Sequence, residues 1–232
     1  VKKTANVIGA TGLVGREITR QLLADPRYET VRVFTRRPTR MSGLGLDEWI
    51  VDFDRPEQWT HRIVGDELFS ALGTTLKQAG SQGEQYKVDY TYQWNAAEAA
   101  AKNGVPRYLL VSSAGASAKS LVFYTRMKGE LDRAVSALDF EQIAIFRPSL
   151  LLGERETPRS GERFAEGALK AFGWLPGLRR RQPIAAETVA GAMIQVANQC
   201  ADEWSGEPAG AKLSIYTLDE VRAAALETPS ED

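Results

Sequence analysis

Tyr124 and Lys128 stand four positions apart in a stretch, residues 121–138, whose apolar side chains keep helical spacing. On an α-helix that separation puts both side chains on one face, about one turn apart. A phenol titrates near about pH 10 in water and is a poor acid or base at neutrality. An ammonium beside it favours the phenolate and brings proton transfer within reach. Just upstream, Ser112-Ser113 ends an apolar strand-like run, and a serine hydroxyl there can hold a substrate oxygen. Tyr-x-x-x-Lys pairs also arise by chance on amphipathic helices, so the set gains meaning from what precedes it.

What precedes it is Gly9-Ala10-Thr11-Gly12-Leu13-Val14-Gly15, between a short apolar run (4–8) and a helical pattern (13–24). The first glycine lets a strand turn tightly, a later one lets backbone amides approach a pyrophosphate, and the last permits close helix–strand packing. The helix N-terminus then faces the phosphates. Gly9, Thr11, Gly12, Leu13, Val14 and Gly15 are therefore expected to bind a dinucleotide. The competing reading is a turn that needs positive φ angles for packing alone.

The end of the second expected strand decides which dinucleotide. An acid there suits the ribose 2′-hydroxyl of NAD, whereas an arginine accommodates a 2′-phosphate. This chain has Thr35-Arg36-Arg37 with no carboxylate nearby in sequence. The planar guanidinium fork favours NADP(H), with Arg36 the better candidate, against the alternative of a solvated surface pair. Asp52 and Phe53 are expected to border the adenine, and Leu72, Gly73 and Thr74 to line the cofactor's middle.

The elements that must position these groups alternate. Strands are expected at 4–8, 30–35, 49–52, 67–72, 107–112 and 141–146, with helices at 13–24, 88–102 and 121–138. That rhythm predicts an α/β Rossmann-type, doubly wound parallel sheet in one domain spanning 1–232. After Pro148 the pattern changes. Residues 150–185 read as a small C-terminal substrate-side lobe or lid, with a helix over 163–172. A helix at 188–198, a strand near Leu213 and a helix at 218–226 complete the fold, and 228–232 reads as a solvated tail.

Composition narrows the partners. A formal net charge of −1 offers no general attraction to nucleic acid or anionic membrane, and neither is expected. One cysteine, Cys200, and one histidine, His61, exclude a disulfide framework and argue against a His/Cys metal cluster. With no signal-like or long apolar segment, a cytoplasmic location is expected. Arg179, Arg180 and Arg181 could grip an anion or solvate a loop. Phe164, Phe172, Trp174 and Leu175 could roof an apolar pocket or serve helix packing.

The ordered glycine turn, Ser-Ser strand end and Tyr-x-x-x-Lys pair resemble the short-chain dehydrogenase/reductase superfamily. The Gly-x-x-Gly-x-x-Gly spacing is similar to that of its extended and atypical branches. A closer resemblance is to the Tat-interacting-protein-like oxidoreductases. It rests on LGTT (72–75), VDY (88–90), SSAGA (112–116), YTRMKGE (124–130) and FRPSLLLGERETPRSGE (146–162). The resemblance implies NADP(H) binding, with Lys128 also holding the nicotinamide ribose. It implies Tyr124 as proton donor or acceptor and Ser113, rather than Ser112, as the group orienting the substrate oxygen. Arg147 and Pro148 would back the nicotinamide.

An NADP(H)-dependent carbonyl/alcohol oxidoreductase acting on a small molecule is the expected function. A nucleotide-sugar epimerase or dehydratase is an alternative in the same superfamily, disfavoured by the lack of a large C-terminal lobe. A dinucleotide-sensing protein with little turnover is an alternative of another class. A protein partner and a homodimer stay open.

Overall fold

The computed structural model describes residues 2–152, 183–202 and 212–226. Strands β1 (Lys3–Ile8), β2 (Tyr28–Thr35), β3 (Leu46–Ile50), β4 (Glu67–Ser70), β5 (Arg107–Val111), β6 (Gln142–Phe146) and β9 (Lys212–Tyr216) form one sheet. Their order is β3-β2-β1-β4-β5-β6-β9, and every pairing is parallel. The order reverses between β1 and β4, which opens a crevice at their carboxyl ends, where ligands bind in such sheets. The expected Rossmann-type α/β fold is the one observed. A separate parallel pair, β7 (Leu151–Leu152) with β8 (Ile184–Ala185), brackets residues 153–182. The expected lobe and its helix at 163–172, Arg179 to Arg181 and the aromatic residues 164–175 lie outside the described residues, as does the tail at 228–232.

Successive side chains of a strand point to opposite faces, so a sheet covered on both sides needs apolar residues at nearly every position. β4 and β6 are buried along their whole length. On β5, Leu109 and Val111 join the core under helices α1 (Leu13–Ala24), α6 (Ala186–Asp202) and α7 (Leu218–Leu226). Tyr108 and Leu110 join the opposite core, with α4 (Tyr92–Lys102) and α5 (Phe123–Val135). Ala96, Ala97 and Ala100 give α4 a small-residue face on that core.

The strand starts are drawn together by a buried carboxylate. Glu67 accepts hydrogen bonds from Lys3 Nζ (3.1 Å) and Tyr28 OH (2.7 Å) and lies 3.4 Å from Arg107 Nε. Burial pushes its carboxyl above the ordinary range despite the two cations. With parallel strands tied at this edge, all their carboxyl ends gather at the other, and every candidate site segment follows one of them.

The strand expected at 67–72 ends at Ser70, the helix expected at 121–138 spans Phe123–Val135 and the one expected at 188–198 spans Ala186–Asp202; two further elements differ for a reason that can be named. β3 runs over Leu46–Ile50 instead of 49–52, because its register against β2 pairs Arg32 with Asp47, joined by an ion pair of 2.8 Å. An edge strand tolerates such charges, so an apolar run was the wrong marker. The helix expected at 88–102 begins earlier. α2 (Leu76–Ala79) and α3 (Gln82–Tyr86) lead into a wide π-helical turn at Lys87–Thr91 before α4.

Candidate active site

Gly9 has φ +90°, and a Cβ placed on it would lie 2.5 Å from the carbonyl carbon of Ala71. A side chain there would be strained and would collide with the backbone leaving β4. A Cβ on Gly15 would lie 2.2 Å from the Gly9 carbonyl oxygen, so the third glycine lets α1 sit directly on the turn. Gly12 is the N-cap of α1 and supplies no side-chain hydrogen bond to the first turn. Thr11 and Gly12 are exposed, Leu13 half-buried and Val14 buried, so the turn is open to solvent while α1 keeps its apolar side on the core; the Gly12 N–H itself closes the turn on the Gly9 carbonyl at 2.8 Å. An uncapped helix N-terminus on a glycine cradle fits a pyrophosphate.

Arg36 and Arg37 are exposed after β2, where Thr35 Oγ1 donates to the Arg37 carbonyl at 2.8 Å. Asp54, in the loop after β3, lies within electrostatic reach of Arg36 without contacting it. Asp54 is held below the ordinary carboxylate range first by Lys87 Nζ (2.6 Å) and Tyr92 OH (2.8 Å), with Arg36 adding a weaker field. Lys87 and Tyr92 thus make the direct contacts to that carboxylate, and Arg36 only senses it. Asp52 is exposed beside Arg55 at 3.8 Å. Phe53, expected at the adenine, turns its ring inward: it is 3% exposed and packs on Trp59 and Tyr92 at 5.0 and 5.3 Å. Only its backbone remains to border a ligand.

Ser112 is buried and Ser113 half-buried. The loop that follows is latched to α5. Ser117 N–H donates to the Thr125 carbonyl (2.9 Å), the Ser120 and Thr125 hydroxyls bond at 2.7 Å, and Ser120 Oγ accepts Val122 N–H at 3.1 Å. A Cβ on Gly129 would fall 2.2 Å from the Ser117 carbonyl carbon, so helix and loop touch backbone to backbone. Tyr124, 37% exposed, begins α5, and Lys128, 3% exposed, lies one turn on. Tyr124 is close enough to act electrostatically on the Lys128 ammonium.

Lys128 is paired with a residue that sequence reasoning did not select. Its Nζ lies 3.0 Å from Oδ1 of Asp89, and both side chains are buried. Burial pulls the ammonium toward neutrality, but Asp89, joined by Tyr124 and Asp132, more than offsets it and holds Lys128 above its ordinary value. Oδ2 of Asp89 accepts the N–H of Thr74 at 2.8 Å, which links the lysine to the Leu72-Gly73-Thr74 loop. In the sequence Asp89 stands out only as the acid of the VDY segment (88–90), with Gln85 and Gln93 one turn to either side.

The Arg147 guanidinium is engaged within the fold: it binds Asp132 of α5 through Nε (3.0 Å) and a terminal nitrogen (2.9 Å), which joins β6 to α5. The Pro148 carbonyl accepts Ala114 N–H at 3.0 Å and fixes the serine loop to the end of β6. Backbone at 147–148 therefore borders the site, and the arginine side chain braces it from behind.

A family model described as NAD(P)H-binding matches residues 9–199. The mitochondrial protein FMP52 of Chaetomium globosum is 34% identical over 205 residues, covering 84% of this chain and 87% of the relative. Its Emericella nidulans counterpart is 39% identical over 178 residues, covering 71% and 76%. Among solved structures, the Bordetella bronchiseptica enzyme WbmH in complex with NAD+ superposes with a TM-score of 0.66 at 14% identity, covering 96% of this chain and 91% of its own. MoeE5 in complex with UDP-glucose and NAD gives 0.64 at 17% identity, covering 96% and 80%. At such identities the likeness is one of fold.

The expected cytoplasmic location is corrected by the same relatives, which are named as mitochondrial proteins. A single cysteine and the lack of an apolar span describe a chain's chemistry, which more than one reducing compartment can accommodate. The chain belongs to the NAD(P)H-binding family, with the FMP52 proteins among its relatives.

Proposed function

We propose that this chain is an NADP(H)-dependent oxidoreductase of the short-chain type, interconverting a carbonyl and an alcohol. The observation that carries the reading is the placement of Lys128. The ammonium is ion-paired with Asp89 at 3.0 Å, one helical turn from Tyr124, and is tied through that carboxylate to the loop expected to carry the cofactor's middle. The motif resemblance to the Tat-interacting-protein-like oxidoreductases supports the same assignment.

In this reading the glycine turn and the first amides of α1 hold the pyrophosphate, and Arg36 holds the 2′-phosphate. The bound nicotinamide supplies or accepts the hydride. Ser113 orients the substrate oxygen, Tyr124 delivers or removes the proton at that oxygen, and Lys128 supports that transfer and holds the ribose. The Asp132–Arg147 pair and the latched loop keep α5 and Ser113 in register.

Thermal unfolding with each dinucleotide tests the cofactor. A ligand present at about 100 times its dissociation constant stabilises the fold by about 2.7 kcal/mol. NADPH is expected to raise Tm well above NADH at equal concentration. Arg36→Glu is expected to weaken NADPH by about ten- to a hundredfold with little change for NADH, as lost charge-assisted hydrogen bonds imply. Equal or stronger stabilisation by NADH in the wild type overturns the NADP(H) assignment. NADPH oxidation across a panel of aldehydes and ketones tests the reaction, and binding without turnover on any of them favours the sensing alternative.

A further inference from the structure

Asp89 sits at the middle of the π-helical turn, 1% exposed, and its carboxylate is divided between two partners from different parts of the fold. Oδ1 faces Lys128 Nζ at 3.0 Å on α5, and Oδ2 takes the Thr74 N–H at 2.8 Å in the loop after β4. A Cβ on Gly73 would stand 3.5 Å from Oδ1, so the loop passes directly against the carboxylate. The turn itself is braced. Gln93 Nε2 donates to the Asp89 carbonyl (2.7 Å), and Gln93 Oε1 accepts from Ser70 Oγ at the end of β4 (2.8 Å). Gln85 Nε2 donates to the Thr74 carbonyl at 3.2 Å, closing the loop from the other side. A π-turn costs helix regularity and recurs at functional sites, because it re-aims a side chain that a regular helix would place elsewhere.

A carboxylate is expensive to bury unless its oxygens are matched, and here both are. We infer that Asp89 is a positioning residue that makes the Gly73-Thr74 loop and the Lys128 ammonium one rigid unit for the nicotinamide half of the cofactor. The inference rests on the dinucleotide reading above and deepens it. The loop reaches the middle of a bound dinucleotide, and the ammonium reaches the ribose beyond it. Asp89 touches neither reacting atom; it fixes the distance between the two contacts. Its removal therefore weakens the half of the ligand that spans them and spares the half bound at the glycine turn and Arg36.

Two ligands separate this role from a purely structural one. NADPH occupies both halves of the site, whereas 2′,5′-ADP occupies the adenosine half alone. Their affinities are measured by fluorescence and calorimetry on the full chain carrying Asp89→Asn. The expected result is NADPH weakened by about ten- to a hundredfold, with 2′,5′-ADP held within about twofold. Equal loss of both ligands in a folded variant overturns the proposal, as does unchanged NADPH affinity. Should Asp89→Asn not fold, Asp89→Glu keeps the charge and displaces it by one methylene. The NADPH to 2′,5′-ADP affinity ratio is then expected to fall, and an unchanged ratio overturns the proposal. A wild-type chain that binds neither ligand removes the dinucleotide reading itself, and that result is seen before any variant is made.

Discussion

Tyr124→Phe is expected to lower carbonyl turnover by about 10²- to 10⁴-fold, the range in which a positioned proton donor contributes. The phenol begins α5 at 37% exposure, and no hydrogen bond from its hydroxyl holds another element together among the described residues. Loss of that oxygen should leave the unfolding free energy within about 0.5 kcal/mol of the wild type, as for other surface changes. NADPH affinity should also persist, because the turn and Arg36 are untouched. The diagnostic pattern is a collapsed kcat with preserved stability and binding. Turnover within about threefold of wild type would assign the proton step to another group and sink the mechanism.

Gly129→Ala is expected to destabilise the fold by about 3 kcal/mol or more, through overpacking against backbone. On an ordinary helix the same change helps by up to about 1 kcal/mol, so the sign of the effect is itself the test. A methyl at this position meets the Ser117 carbonyl carbon at 2.2 Å, the Ala118 nitrogen at 2.3 Å and the Ser117 Cα at 2.4 Å. None of these can swing away as a side chain could. Either α5 withdraws from the loop or the loop lifts from α5, and either movement breaks the Ser117 N–H bond to the Thr125 carbonyl. The loop carries Ser113 and the helix carries Tyr124, so activity should fall together with stability. Gly83→Ala is the control: it lies in α3, and the nearest atom to its added methyl would be Ser81 Oγ at 3.8 Å. Urea unfolding should find Gly83→Ala neutral or stabilising. A Gly129→Ala chain as stable as wild type would mean that the close approach of loop and helix yields readily.

Both predictions concern residues that the linear sequence presented differently. Tyr124 was visible as a chemical group because its partner lies on the same helix, four positions away. Gly129 was one letter of YTRMKGE, with no local reason to matter. Its constraint comes from Ser117 and Ala118, which belong to the loop before α5. Phe53 and Arg147 show the reverse case. Their places after β3 and β6 put both at the crevice, yet Phe53 packs into an aromatic cluster and Arg147 pairs with Asp132. Strand position determines where a backbone emerges; the direction of the side chain depends on what neighbouring elements offer it.

The strand–helix alternation, the glycine turn with α1 at 13–24, the α7 span at 218–226 and the Tyr124–Lys128 face could be read from residues alone, because each is set by interactions a few positions apart. Hydrophobic period, φ at glycine and the i to i+4 geometry of a helix are local quantities. The strand order, the turning inward of Phe53, the approach of Asp54's field to Arg36 and the capture of Lys128 by Asp89 were settled by packing. The Asp89–Lys128 pair joins residues far apart in the chain. No spacing rule links them. What joins them is the free energy of two buried charges that can be tolerated only together, and that term exists only once the sheet has brought their helices side by side.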